Sequence, residues 1–136
     1  MYPSNMPQTK KKIMMLDDEK FLLEMFKMTF EKNGYDVAVY NDVDEALNAL
    51  RKGYEPDVML FDITMPDMRS GYEFIETVNT EKLARRSFKI AFTNQGLVGE
   101  KARLAELGTD AHLLKVQYAP AELVGKITEL LAARGA

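Results

Sequence analysis

The sequence predicts an α/β fold, a doubly wound parallel sheet of five strands with helices on both faces. Three observations predict it. Short, continuous apolar runs mark strands that are buried on both faces. Segments with apolar residues at helical spacing stand between those runs. The two kinds of segment alternate strictly, five of each, which is the pattern of a parallel sheet with right-handed crossovers.

Each element carries its own signal. Met1 to Thr9 holds two prolines with Ser, Asn and Gln and reads as a flexible tail, taken as 1–10. "KIMMLDD", Lys12 to Asp18, is an apolar run ending in two acids and predicts the first strand. Phe21, Leu22, Met25, Phe26, Met28, Thr29 and Phe30 recur at helical spacing, and "NGY" stops that helix at Gly34. "DVAVY", Asp36 to Tyr40, predicts the second strand. Asn41 or Asp42 can cap a helix carrying Val43, Ala46, Leu47 and Leu50, which "GYEP" breaks. "DVMLFD", Asp57 to Asp62, predicts the third strand. Tyr72, Phe74, Ile75 and Val78 mark a third helix that the pattern extends weakly to Arg86. "FKIAFTN", Phe88 to Asn94, predicts the fourth strand, and Lys101 to Leu107 a helix ended by Gly108. "AHLLK", Ala111 to Lys115, predicts the fifth strand. Pro120 suits the first position of a last helix with Leu123, Ile127, Leu130 and Leu131 inward.

Composition excludes several function classes. A chain of 136 residues that is 46% hydrophobic and 29% charged suggests one domain with a proper core. Without cysteine there are no disulfides, thiolate nucleophiles or Cys-based metal sites. Net charge is −3 with both signs mixed, which is no nucleic-acid footprint. The one basic cluster, Lys10-Lys11-Lys12, reads as a solvated lead-in to the first strand. No apolar run has membrane-spanning length and the N-terminus lacks the apolar core of a signal peptide, so a cytoplasmic location is expected.

In such folds ligands sit outside the carboxyl ends of the strands. Strand one ends in Asp17-Asp18, strand three in Asp62, strand four in Thr93-Asn94 and strand five in Lys115. Parallel strands bring these ends together, so three carboxylates, a hydroxyl and an ammonium should converge. Crowded acids repel, which should raise one or more of their pKa values. A divalent cation relieves that repulsion, and an all-oxygen donor set without His or Cys suits Mg²⁺. An Asp placed there can act as a nucleophile toward phosphorus, with Lys and Thr available to phosphoryl oxygens. Taken singly, each residue has a plainer role: a helix cap at Asp18, a solvated acid at Asp62, a β-branched strand former at Thr93, a surface lysine at Lys115.

With the acid pair "LDD", the motif "DITMPDM" from Asp62 to Met68, the "FT" of Thr93 and the "LLK" of Lys115, the sequence resembles a response-regulator receiver domain of two-component signalling. The likeness runs from about Lys12 to Leu131 and takes the receiver domain as 11–134. It implies the flavodoxin-like (CheY-like) (βα)5 three-layer sandwich with strand order 2-1-3-4-5. It implies that Asp62 accepts a phosphoryl group from a histidine kinase or phosphotransfer protein. It also implies Mg²⁺ on Asp18, Asp62 and the Thr64 backbone carbonyl, with Asp17 joined through water. Lys115 would contact a phosphoryl oxygen. Thr93 would report the group's presence to the face of helix four, strand five and helix five. Thr64 and Gln95 stand where the family tunes dephosphorylation. Nucleic acid and membrane are not among the expected partners, and enzyme activity is expected only as self-phosphorylation from phosphodonors and autodephosphorylation.

Four departures from the family pattern stand out. "PDMRSG" has one residue more before Gly71 than the usual acceptor loop. Asn94 follows Thr93 where a small residue is usual, and is expected to slow phosphorylation. His112, the one histidine, replaces the switch aromatic; it reads either as a half-buried strand residue or as a switch ring whose charge responds near neutral pH. Val116 replaces the proline after Lys115, so a trans bond and an altered "VQYAP" path are expected. With no second domain after "LLAARGA", the chain reads as a stand-alone adaptor or relay, or, if excised from a larger protein, as a module whose linker begins there. A phosphorylation-independent receiver-like scaffold is the alternative. A phosphatase of another aspartyl-phosphate class is disfavoured, because Thr64 stands where its second Asp belongs.

Overall fold

A computed structural model describes residues 10–63, 71–94 and 100–134. Among them, five parallel strands form one sheet in the order β2-β1-β3-β4-β5. The strands are β1 (Lys11–Leu16), β2 (Tyr35–Tyr40), β3 (Val58–Phe61), β4 (Phe88–Thr93) and β5 (Ala111–Leu114). The helices between and after them are α1 (Lys20–Lys32), α2 (Val43–Arg51), α3 (Gly71–Thr80), α4 (Glu100–Glu106) and α5 (Pro120–Ala133). This is the predicted doubly wound (βα)5 sandwich.

Strand pleating divides the core into two layers. Ile13, Met15, Leu60, Ile90 and Phe92 face Leu23, Phe26 and Phe30 of α1 and Leu123, Val124, Ile127 and Leu131 of α5. Their strand neighbours Met14, Leu16, Met59, Phe61 and Ala91 face α2, α3 and Leu104 of α4. Both faces of the central strands are thus buried, which is why their sequences do not alternate in polarity.

Most expected boundaries fall within a residue or two, and the differences are physical. The acids ending β1 and β3 lie just past the strands, although the ladder still holds their backbones: Asp17 N–H donates to the Tyr40 carbonyl (3.1 Å) and Asp62 N–H to that of Leu16 (2.9 Å). Of the two candidate caps for α2, Asp42 serves, its carboxylate accepting from Asp44 N–H at 2.8 Å. Asp18 does not cap α1, whose N-cap position is Glu19 without a side-chain bond. The expected apolar face of α1 needs correction: Leu23, Phe26 and Phe30 point inward, whereas Phe21, Met25 and Met28 are exposed. Helix α3 ends at Thr80 and does not run on to Arg86, because Lys82 and Ala84 take left-handed φ values of 57° and 44°, which no continuing α-helix allows. The path after β5 also differs from a simple loop. Lys115–Gln117 form a 3-10 turn with a trans Lys115–Val116 bond, and Val116 is exposed before Pro120 opens α5. The 1–9 part of the predicted tail lies outside the described residues; Lys10, Lys11 and Lys12 are exposed.

Candidate functional site

The carboxyl ends of β1, β3 and β5 bring together Asp17, Asp18, Asp62 and Lys115. Each of the three acids offers an oxygen within 4.8 Å of the other two. Asp17 and Asp62 are buried, and Asp18 is partly exposed. The Lys115 ammonium bridges the buried pair, 2.6 Å from Asp17 Oδ2 and 3.1 Å from Asp62 Oδ2. Glu19 adds a looser ion pair to the same ammonium at 3.6 Å, and its backbone N–H donates to Asp17 Oδ1 at 3.0 Å. Glu19 was not singled out by the sequence, where an acid at a helix start reads as a solvated complement to the helix dipole.

The charges respond as crowding dictates. Partial burial and the neighbouring Asp17 and Asp62 raise the Asp18 carboxyl above its ordinary value. Burial alone would lower the Lys115 ammonium, but its hydrogen bond to Asp17 and the charges of Asp17 and Asp62 outweigh that, and the net shift is upward. Among the described residues the Lys115 ammonium therefore faces the three clustered acids and, more loosely, Glu19. A further cation bound by carboxylate oxygens would ease the excess, and the donor set fits a hard divalent ion such as Mg²⁺.

Thr93 ends β4, buried, and its Oγ1 lies 3.0 Å from His112 Nε2 on β5. His112 is half-buried as a residue, and its side chain is only 8% exposed. Asn94 follows, exposed, beyond the strand. Thr64, Gln95 and the extra residue before Gly71 lie outside the described residues. Gly71 itself is informative. Its N–H donates to the Ile63 carbonyl at 3.3 Å. A β-carbon there would collide with the Asp62 carbonyl oxygen and sit 2.6 Å from Ile63 Cα. The glycine that opens α3 therefore lets the helix start directly against the backbone of Asp62 and Ile63.

Fold and site together define a class. The chain belongs to the response regulator receiver domain family, whose model matches residues 13–128. Among curated relatives, it is 30% identical over 121 residues to the phosphate regulon transcriptional regulatory protein PhoB of Escherichia coli. That match covers 89% of this chain and 52% of PhoB, so the chain spans about half the length of that relative. It is 28% identical over 105 residues to the polar-differentiation response regulator DivK of Brucella ovis, covering 77% of this chain and 84% of DivK. Among solved structures, a CheY-like response regulator receiver domain protein from Methanospirillum hungatei superposes with a TM-score of 0.81 at 28% identity, over 93% of this chain and 98% of that one. The chemotaxis response regulator CheY4 of Vibrio cholerae superposes with a TM-score of 0.77 at 25% identity, over 89% and 98% of the two chains. No described helix is long and apolar enough to cross a membrane.

The cluster makes a first prediction. A raised carboxyl pKa means that the folded state favours the protonated form, so ionised Asp18 costs stability. That cost is relieved as pH falls through the raised value, and equally by removing the charge. Asp18→Asn should raise the metal-free melting temperature by roughly 2–4 °C. Mg²⁺ bound by the three acids would stabilise the parent protein, and Asp18→Asn should remove most of that gain. Thermal melts with and without Mg²⁺ read both effects; equal Mg²⁺ stabilisation of parent and variant would contradict a ligand role for Asp18.

Proposed function

We propose that the protein accepts a phosphoryl group on Asp62 from a histidine kinase or phosphotransfer protein and changes its protein contacts in response. The observation that carries this reading is the bridge of Lys115 across Asp17 and Asp62, with Asp18 alongside. That bridge sets a cation against a buried carboxylate at a strand end, where it could neutralise an incoming phosphoryl group.

In this reading Asp62 is the nucleophile. A carboxylate oxygen attacks phosphorus, the phosphorus–nitrogen bond of the donor phosphohistidine breaks, and the imidazole leaves with the bonding pair. Lys115 moves its hydrogen bond from the Asp62 oxygen to a phosphoryl oxygen, and its raised pKa keeps it cationic throughout. Asp18 and Asp62, with the Thr64 carbonyl, are the proposed direct ligands of Mg²⁺, and Asp17 joins through water. Bound there, the ion would supply charge neutralisation for the phosphoryl oxygens. Thr93 is the proposed reporter, handing the event through His112 to the face of α4, β5 and α5. Thr64, Asn94 and Gln95 would tune the lifetime and formation of the product. Such a module catalyses little beyond its own phosphorylation and dephosphorylation. A cytoplasmic site of action follows from the same reading, with no role for nucleic acid or membrane in this chain.

The test is exposure to a small phosphodonor with Mg²⁺. One phosphoryl group should be gained with Mg²⁺ and none with chelator; no gain in either would favour the phosphorylation-independent scaffold. The exposed Asn94 is proposed to obstruct the donor's approach. Asn94→Ala should therefore react faster with the same donor, by about threefold, equivalent to less than about 1 kcal/mol of barrier. Equal rates would remove that role.

A further inference from the structure

Thr93 and His112 meet on the α4 side of the sheet, where β4 and β5 pair with Ala91 opposite His112 and Thr93 opposite Leu114. The His112 ring nitrogen that faces Thr93 Oγ1 also faces α4, lying 3.5 Å from Glu100 Oε1. Both side chains of that second pair are more than nine-tenths buried, at 8% and 7% exposed. Among the described residues no hydrogen bond reaches Glu100 Oε1, while Oε2 accepts a long bond from the Tyr72 hydroxyl of α3 at 3.4 Å. Arg103 stacks its guanidinium on the Tyr72 ring, 3.9 Å from the centroid. The next charged group along β5, Lys115, is turned to Asp17 and Asp62. A buried carboxylate oxygen thus points at the one nitrogen that also holds the switch hydroxyl.

The chemistry of the three groups fixes a direction. A carboxylate only accepts hydrogen bonds. A ring nitrogen facing it in a buried site is favoured to carry a hydrogen, because a lone pair opposed to Glu100 Oε1 would repel that oxygen and leave it unsatisfied. A hydrogen-bearing Nε2 can only donate, so it donates to Thr93 Oγ1 at 3.0 Å, and the Thr93 hydroxyl hydrogen is directed away from the ring. We propose that Glu100 is a positioning residue of the switch: by keeping a hydrogen on His112 Nε2, it makes the Thr93 hydroxyl an acceptor toward the ring and turns its own hydrogen away from His112. When Thr93 moves to a phosphoryl oxygen, Nε2–H passes wholly to Glu100 and draws on the first turn of α4. No proton is gained or lost; hydrogens change partners. This deepens the switch reading of Thr93 given above and rests on it only for the second measurement below.

Because His112 is the one histidine, a protein labelled with ring-¹⁵N histidine reports on this ring alone. The first measurement uses the metal-free, unphosphorylated protein above the titration range of the ring. The hydrogen should sit on Nε2 and exchange slowly with water. In Glu100→Gln, with backbone amide spectra confirming the fold, exchange should quicken about tenfold or more, the loss of one charge-assisted buried contact. Glu100→Asp, which keeps the charge, should fall between the two. A hydrogen on Nδ1 alone in the parent, or unchanged exchange in Glu100→Gln, overturns the proposal. The second measurement adds Mg²⁺ and beryllofluoride as the phosphoryl stand-in. The shift response of α4 amides per bound stand-in should fall about threefold or more in Glu100→Gln, the weakening expected when one partner of a network is lost; an undiminished response overturns the coupling. If Asp62 binds no stand-in, the phosphoacceptor reading fails by itself and the first measurement still decides the role of Glu100.

Discussion

Replacing Lys115 by Met should cost about 3–5 kcal/mol of metal-free stability, the range for breaking a buried ion pair from one side. The side chains of Lys115, Asp17 and Asp62 are only 7%, 7% and 4% exposed. Removing the ammonium leaves two buried carboxylates facing each other, with Asp18 beside them. In a domain whose whole stability is about 5–15 kcal/mol, that loss is severe. It should also be conditional. Mg²⁺ bound there would supply positive charge to the same oxygens, so Lys115→Met should gain more stability from Mg²⁺ than the parent does. The pH sense follows from the raised Lys115 pKa. The ammonium's contribution is fully present below the ordinary lysine value of 10.5 and is lost only as pH rises through the higher folded value. Urea unfolding with and without Mg²⁺ measures both parts. A variant as stable as the parent in chelator would show that the bridge carries no structural load.

The second large effect belongs to Gly71. A methyl group there meets backbone, the Asp62 carbonyl and Ile63 Cα, which cannot rotate away as a side chain could. Gly71→Ala should cost about 1–3 kcal/mol as overpacking. Its larger consequence is positional. The strand end that carries Asp62 must shift, and misplacement of a reacting group by about 1 Å costs on the order of 100-fold in rate. We expect phosphorylation by a small donor to slow about 10- to 100-fold, more than the stability loss alone would produce in a protein that stays folded. Parent-like rate and stability together would mean that helix and strand end can separate freely.

Why the site was legible and some of the fold was not comes down to what periodicity encodes. Asp17, Asp18, Asp62 and Lys115 each follow an apolar run, and parallel strands force such ends to one edge, so one rule located all four. The contact between Thr93 and His112 was not read from the sequence, because it depends on the register of β4 against β5, which strand ends alone do not give. Glu100 carried no comparable sign, because an acid in the first turn of a helix is expected on electrostatic grounds alone. Its proximity to His112 is a product of how α4 lies on the sheet. In α1 the apolar residues occupy more than one face, so spacing could not separate inward Leu23, Phe26 and Phe30 from exposed Phe21, Met25 and Met28. After α3, Leu83 and Ala84 continue an apolar pattern, but the backbone turns left-handed at Lys82 and Ala84 with no glycine there to announce it. Lys89 was missed for the opposite reason. A lysine in a buried strand reads as an intrusion, yet its ammonium donates to the Ala84 and Ser87 carbonyls at 3.1 Å each, and burial lowers its pKa. It fastens the loop that ends α3, at the edge of the sheet away from Asp62.

If Asp62 is the phosphoryl acceptor, as proposed, its acyl phosphate can be trapped chemically. The parent protein is incubated with a small phosphodonor and Mg²⁺, reduced with borohydride and digested, and the peptides are read by mass spectrometry. Homoserine should replace Asp62 and no other residue, and it should be absent when Mg²⁺ is chelated and absent in Asp62→Asn. Phosphorylation at another residue, or unmodified Asp62 under conditions that phosphorylate a known receiver domain, would contradict that role for Asp62.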